Sequence, residues 1–216
     1  MPTVRSYHDS CGIARALDVV GERWALLVVR ELLLGPQRFS ELRKALANVS
    51  ANVLADRLRE LEANGVLQRR KLPAPSASWV YELTPRGQEL ESVLTALGDW
   101  GVQLMPPSPP NVLSPTSALI YLRSCARPDA QKPSTVVRIE LDDQIWTVQT
   151  DHADLTIEVG DAADADATLE SDPYTFSALI GDTQALKRGI RDGTVEVTGD
   201  LGAVIRMLQE VELNGS

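Results

Sequence analysis

The side chains most able to do chemistry in this sequence are cations, and they crowd into one stretch. Arg69, Arg70 and Lys71 follow one another, with Arg38, Lys44, Arg57 and Arg59 upstream. From Arg38 to Arg86 there are nine Lys/Arg against five Asp/Glu, a positive segment in a chain of net charge −9. Neutralising phosphates is the usual use of such a cluster, although three basic residues in a row also suit a merely solvated face. Asn52 can pair with an adenine edge, and Arg59 with guanine or a phosphate. Ala55 and Asp56 are weaker base readers. Catalysis finds little footing: His8 and His152 are far apart, and no GxSxG, Walker or zinc-ligand spacing occurs. Asp161, Asp164 and Asp166 lack the spacing and central glycine of a calcium loop. No enzyme activity, cofactor or metal is expected. The two cysteines, Cys11 and Cys125, form neither a framework nor a CxxC pair.

The cations need elements to position them. Ser40 is placed as a helix N-cap ahead of Glu41, with Leu42 and Leu46 marking the buried side of a short helix. Ser50 is a second N-cap, and Leu54, Leu58 and Leu61 form one stripe on a helix closing at Asn64-Gly65. Val66–Arg70 and Trp79–Leu83, joined by a loop containing Pro73 and Pro75, read as a β-hairpin. Helix, turn, helix and basic hairpin in this order predict a winged helix. Its second helix enters the major groove and its hairpin flanks the phosphates. With the leucines inward, Asn52, Ala55, Asp56 and Arg59 turn outward. The candidate DNA-contacting residues are Arg38, Ser40, Lys44, Ser50, Asn52, Arg57, Arg59, Arg69, Arg70, Lys71, Ser76 and Ser78.

Two further helical stretches flank this segment. Residues 11–34 place Ile13, Leu17, Val20, Trp24, Leu27 and Val28 on one side, with Gly21 as a breakpoint. The run Ala25–Val29 is apolar almost all round, so more than one face is buried. Thr84-Pro85 opens another helix, whose stripe Leu90, Val93, Leu94, Leu97 and Trp100 is too apolar for a lone surface helix. A dimer partner would account for both; for the first, packing against the chain's own C-terminal domain would do so as well. Residues 106–115 contain five prolines and read as a semi-rigid linker between domains 1–105 and 116–216. Charge divides there too: residues 1–106 carry +1 and the remainder −10. Beyond the linker, a helix over 116–127 precedes strands at 136–141, 145–150, 155–159 and 167–171. Helices follow from Asp172-Pro173 to Ile180, around 184–192 and over 201–211. No run approaches the roughly 20 apolar residues of a membrane span, and no signal peptide is visible, so a cytoplasmic protein without membrane partners is expected.

Short blocks carry a resemblance. Cys11–Asp18, Gly21-Glu22-Arg23-Trp24, Arg30-Glu31-Leu32, Arg38–Leu42, Leu58–Glu62, Tyr81–Thr84 and Trp100-Gly101 resemble the HxlR-type branch of the MarR-like bacterial transcriptional regulators. The resemblance implies a winged-helix homodimer on double-stranded operator DNA. The dimer would be built from helices outside the motif. In some such regulators a cysteine near the N-terminus senses oxidants or electrophiles, which would make Cys11 a redox candidate, with Arg15 favouring the thiolate. A small buried residue at a dimer seam is the alternative. The second half resembles the sterol-carrier-protein (SCP-type) fold, through Asp166–Leu169, Tyr174–Gly181 and Ile190–Asp200. That family places an apolar tunnel between a sheet and its covering helices. The tunnel-lining candidates here are Trp146, Val148, Leu155, Ile157, Phe176, Leu179, Ile190, Val204 and Leu208, which would otherwise simply fill a core.

The expected fold class is therefore α+β, a winged helix-turn-helix domain followed by an SCP-like sheet covered by helices. The expected function is a repressor-like homodimeric regulator whose operator binding responds to a small hydrophobic ligand. In the alternative, the second domain only oligomerises, and Cys11 oxidation or nothing at all controls DNA binding.

Overall fold

A computed structural model of the chain describes residues 6–73, 77–105, 112–127, 131, 133–151 and 154–209. The chain divides into two compact units, Met1–Gln103 and Leu104–Ser216, and its class is α+β, as expected. Most of the proline-rich stretch, residues 106–111, lies outside the described residues.

The first unit runs α1 (Gly12–Val20), α2 (Ala25–Leu32), α3 (Phe39–Ala45), α4 (Ala51–Ala63), β1 (Leu67–Lys71), β2 (Trp79–Leu83), α5 (Pro85–Gln88) and α6 (Leu90–Gly101). The helix expected over 11–34 breaks at Gly21, and Trp24 precedes α2 in a left-handed conformation, φ 78°. Redirecting the chain there lets α2 bury Ala25, Val28, Val29 and Leu32 in one core with Leu42, Leu54, Leu58 and Leu61. The start of α3 differs from expectation. Arg38, not Ser40, is the N-cap, because Glu41 reaches back to accept the Arg38 N–H at 2.6 Å. A glutamate three residues into a helix commonly does this, and it pulls the first turn two residues upstream. Thr84 caps α5, accepting the Gly87 N–H at 3.1 Å and donating to the Gly65 carbonyl at 2.7 Å. A Cβ at Gly87 would lie 2.0 Å from the Val66 carbonyl oxygen, so only glycine lets α5 close onto the start of the hairpin.

The second unit runs α7 (Pro115–Cys125), β3 (Thr135–Leu141), β4 (Gln144–Thr150), β5 (Leu155–Val159), β6 (Ala167–Ser171), α8 (Pro173–Leu179), α9 (Thr183–Asp192), β7 (Val195–Gly199) and α10 (Leu201–Gln209). Its sheet has the order β5-β4-β3-β6-β7, antiparallel except where β6 joins β3 in parallel. Period-two alternation sets the faces. On β3, Thr135, Val137, Ile139 and Leu141 are buried, while Val136, Arg138 and Glu140 are only half-buried. The inner face also buries one polar pair, the Thr135 and Thr150 hydroxyls, which share a 2.6 Å hydrogen bond across the β3–β4 ladder. Each covering helix is begun by an oxygen cap. Ser114 accepts the Ser117 N–H, Asp172 those of Tyr174 and Thr175, and Asp182 those of Gln184 and Ala185. Asp200 accepts the Gly202 N–H at the start of α10.

Backbone N–H donors hold two of these carboxylates below the usual aspartate range: chiefly that of Ala185 for Asp182 and that of Gly202 for Asp200. Arg188 and Arg206 add to the effect. The unfolded chain, with ordinary aspartates near pH 3.9, then binds more protons than the folded one between its own pKa and the lowered values. The contribution is whole above about pH 4 and is lost as the pH falls through the lowered range. The urea midpoint of the second unit should therefore drop below about pH 4, and Asp182→Asn with Asp200→Asn should flatten that drop.

Candidate nucleic-acid interface

The helix-turn-helix is positioned from beneath. Leu42, Leu46 and Val49 are buried along α3 and the turn, and Leu54, Leu58 and Leu61 along α4. Ser50 caps α4, its hydroxyl accepting the Val53 N–H at 3.3 Å. This phase leaves Asn52, Val53 and Arg59 exposed and Ala51, Ala55 and Asp56 half-buried. Arg59 forms an ion pair with Asp56, both side chains at the surface. Arg57, also a sequence candidate, turns away from that face. Its guanidinium pairs with Glu60 and lies 3.8 Å from Glu22, and only 15% of its side chain is exposed. It staples α4 to the α1–α2 connection. On and before α3, Arg38, Ser40 and Lys44 are exposed, and the Arg38 guanidinium lies 4.0 Å from Glu41.

The hairpin is two-faced because of its register, Arg69 opposite Tyr81, Arg70 opposite Val80 and Lys71 opposite Trp79. On one face the Arg69 guanidinium lies over the Trp79 ring, 4.5 Å from its centroid, with Tyr81 at 6.0 Å. Lys71 shares that face by alternation. On the other, Arg70 is bound to Glu82 at 2.7–2.8 Å, and Gln68 donates to the same carboxylate at 2.9 Å. Those donors, Arg70 first, hold the Glu82 carboxyl below its ordinary range. The basic cluster thus separates into one neutralised cation and two presented ones. Ser78 offers its backbone carbonyl to the Leu72 N–H at 2.8 Å, and Ser76 lies outside the described residues. A third strand-like contact fixes the hairpin. Gln37 exchanges two backbone hydrogen bonds with Tyr81, 2.8 and 2.9 Å, and its side-chain amide donates to the Glu31 carbonyl at 2.6 Å. Sequence reasoning missed Gln37, Trp79, Tyr81 and Glu82 as partners. The hairpin register could have shown Tyr81 opposite Arg69, but no sequence signal pointed to Gln37.

Cys11 is exposed and free at the N-cap of α1, where Asp9 accepts its N–H at 2.9 Å. In the second unit, Trp146, Val148, Leu155, Ile157, Phe176, Leu179, Val204 and Leu208 are all buried, on the inner face of β4 and β5 and on α8 and α10. Ile190 is not with them and is 38% exposed. On α9 the inward positions are Leu186 and Gly189. A Cβ at Gly189 would come within 2.6 Å of Val195 Cγ2, so the backbone of α9 rests on β7 and its neighbour Ile190 rotates outward. The acidic run is spent on structure: Asp161 lies 3.1 Å from Arg138, and Asp166 accepts the Val136 N–H at 2.8 Å. Among the described residues no group of three His, Cys, Asp or Glu could hold a metal, and no helix is long and apolar enough to cross a membrane.

Residues 19–109 match the family described as HxlR-like helix-turn-helix, and residues 118–209 match the SCP-2 sterol transfer family. The chain is 40% identical over 94 residues to the HTH-type transcriptional regulator YvaP of Bacillus subtilis, covering 44% of this chain and 87% of that one. It is 35% identical over 92 residues to the regulator YodB of the same organism, covering 43% and 82% respectively. The solved structure of YodB in its reduced form aligns with 48% of this chain and all of its own, at 31% identity and a TM-score of 0.40.

Stacking under Arg69 should matter to DNA binding. A cation–π contact at an exposed site contributes about 0.5–1 kcal/mol. Trp79→Ala is expected to weaken duplex binding roughly two- to five-fold, and Trp79→Phe to restore most of it. Arg69→Ala should cost more than Arg70→Ala in fluorescence anisotropy at low salt, because Arg70 is already neutralised.

Proposed function

The chain belongs to the HxlR-like family of helix-turn-helix transcriptional regulators, and from that premise we propose that it acts as a homodimer on operator DNA, with the second domain sensing an apolar ligand. The basic face of the hairpin beside the exposed side of α4 carries the operator reading. In such a protein α4 lies in the major groove and Arg69 and Lys71 lie along the phosphates. The dimer is supported by unpartnered apolar surface on two helices of the first unit. Ile13 and Leu17 on α1, and Val93, Leu97 and Trp100 on α6, are 42–72% exposed. Between these helices lies a cleft of about 590 Å³ lined by Arg15, Val19, Arg86, Leu90 and Val93 among others. Exposed large apolar side chains gathered on two helices are what an interaction face leaves in a single chain. A two-fold dimer sets two α4 helices about one turn of DNA apart, so a small change in subunit geometry alters affinity.

The ligand reading rests on the SCP-2 match over 118–209. In this division of labour residues 1–105 bind DNA and dimerise, 106–115 link, and 116–216 sense. A ligand would enter between the inner sheet face and α8 and α10, and would have to part side chains now in contact. A second reading has one observation in its favour, the exposed thiol of Cys11. In it the second domain is structural and oxidation of Cys11 sets DNA binding.

Two measurements decide. Leu97→Glu with Trp100→Glu should shift the sedimenting species from dimer to monomer and lower operator affinity by at least ten-fold, since one half-site must then bind alone. Unchanged sedimentation would remove the α6 dimer. Native mass spectrometry of protein from its own host should show a dimer carrying a small molecule that is lost on denaturation. An empty dimer, unmoved in melting temperature by lipids and aromatic metabolites, would make the second domain structural and leave Cys11 oxidation, or no effector at all, to set DNA binding.

A further inference from the structure

The outward face of α4 is poor in the groups that usually read DNA, and what remains is specific. Arg57 is withdrawn into its contacts with Glu60 and Glu22, and Arg59 is held by Asp56. The N-terminal turns, which contact base edges in helices of this kind, present Asn52 with Val53 on one flank and Ala51 and Ala55 on the other. Val53, an apolar side chain, keeps 39% of its surface exposed there. The major groove offers one apolar group, the C5-methyl of thymine, and asparagine pairs bidentately with adenine N6 and N7. We propose that α4 reads an A·T core in each half-site, with Asn52 on adenine and Val53 packed on thymine methyls. This deepens the operator-binding reading above and rests on it.

The test uses the full chain and duplexes enriched by it from a random pool. The enriched sites should share A·T steps at the centre of each half-site. In the best duplex, thymine is then replaced by deoxyuridine at those steps, which removes the methyl and leaves every hydrogen-bonding group. Loss of one methyl contact corresponds to about a four-fold weaker Kd. In the Val53→Ser variant the thymine-to-uracil penalty should shrink toward nothing, while Asn52→Ala should weaken binding and relax the preference for adenine. Equal binding of the thymine and uracil duplexes, or a G·C-rich core, overturns the methyl reading and leaves DNA binding standing. Enrichment of no duplex at all overturns both.

Discussion

The rotational phase of α4 is the constraint on which the rest of the first unit depends. Leu54, Leu58 and Leu61 are at most 1% exposed and lie in one core with Ala25, Val28, Val29 and Leu32 of α2. Each fully buried leucine contributes about 1.5–3 kcal/mol. A turn of one residue, about 100° in a helix of 3.6 residues per turn, would expose that stripe and bury the polar face. Asn52, Val53, Asp56 and Arg59 therefore have no freedom about which way they point. The same core reaches the hairpin through Val66, Leu67 and Leu83. Gln37 adds a short strand-like edge against β2. Helix and wing thus share one core.

Carboxylates then edit the cations that this scaffold presents. Glu82 takes Arg70, Asp56 holds Arg59, and Glu60 with Glu22 draws Arg57 inward. On the hairpin this leaves a stacked Arg69 and its neighbour Lys71 presented on one face, with Arg38, Arg43 and Lys44 exposed on and before α3. The arrangement also explains how an acidic protein can carry a basic module. The excess negative charge lies in the second half, where several aspartates cap helices or pair with arginines on their own elements.

The second unit solves a different problem, how to cover one face of a five-stranded sheet. Four helices do so, each begun by a serine or aspartate cap. The parallel pairing of β3 with β6 brings Leu169 beside Ile139 at the centre, under α10. The outer face stays polar, with Arg138 bonded to Glu140 and Asp161.

Local chemistry determined much of this from the sequence alone. The leucine stripe of α4, its Ser50 cap, the Gly65 stop, the Thr84-Pro85 helix start, the Asp172 cap and the alternating strands each depend on residues a few positions apart. Their periods and caps are therefore readable one-dimensionally. So is the break at Gly21. The i,i+3 pairs Arg57–Glu60 and Arg59–Asp56 follow from helical spacing, but only the tertiary structure brought Arg57 to Glu22 and Arg70 to Glu82, across separations that no helical or strand period encodes. It also decided the hairpin register that stacks Arg69 on Trp79, the strap of Gln37 and the parallel placement of β6. It exchanged Ile190 for Gly189 on the inner side of α9, since the close approach of Val195 leaves no room there for a side chain. Even the start of α3 moved, because a glutamate three residues in reached back to Arg38 and outcompeted the serine. Contacts within a turn are written in spacing, whereas partners distant in sequence are chosen by packing.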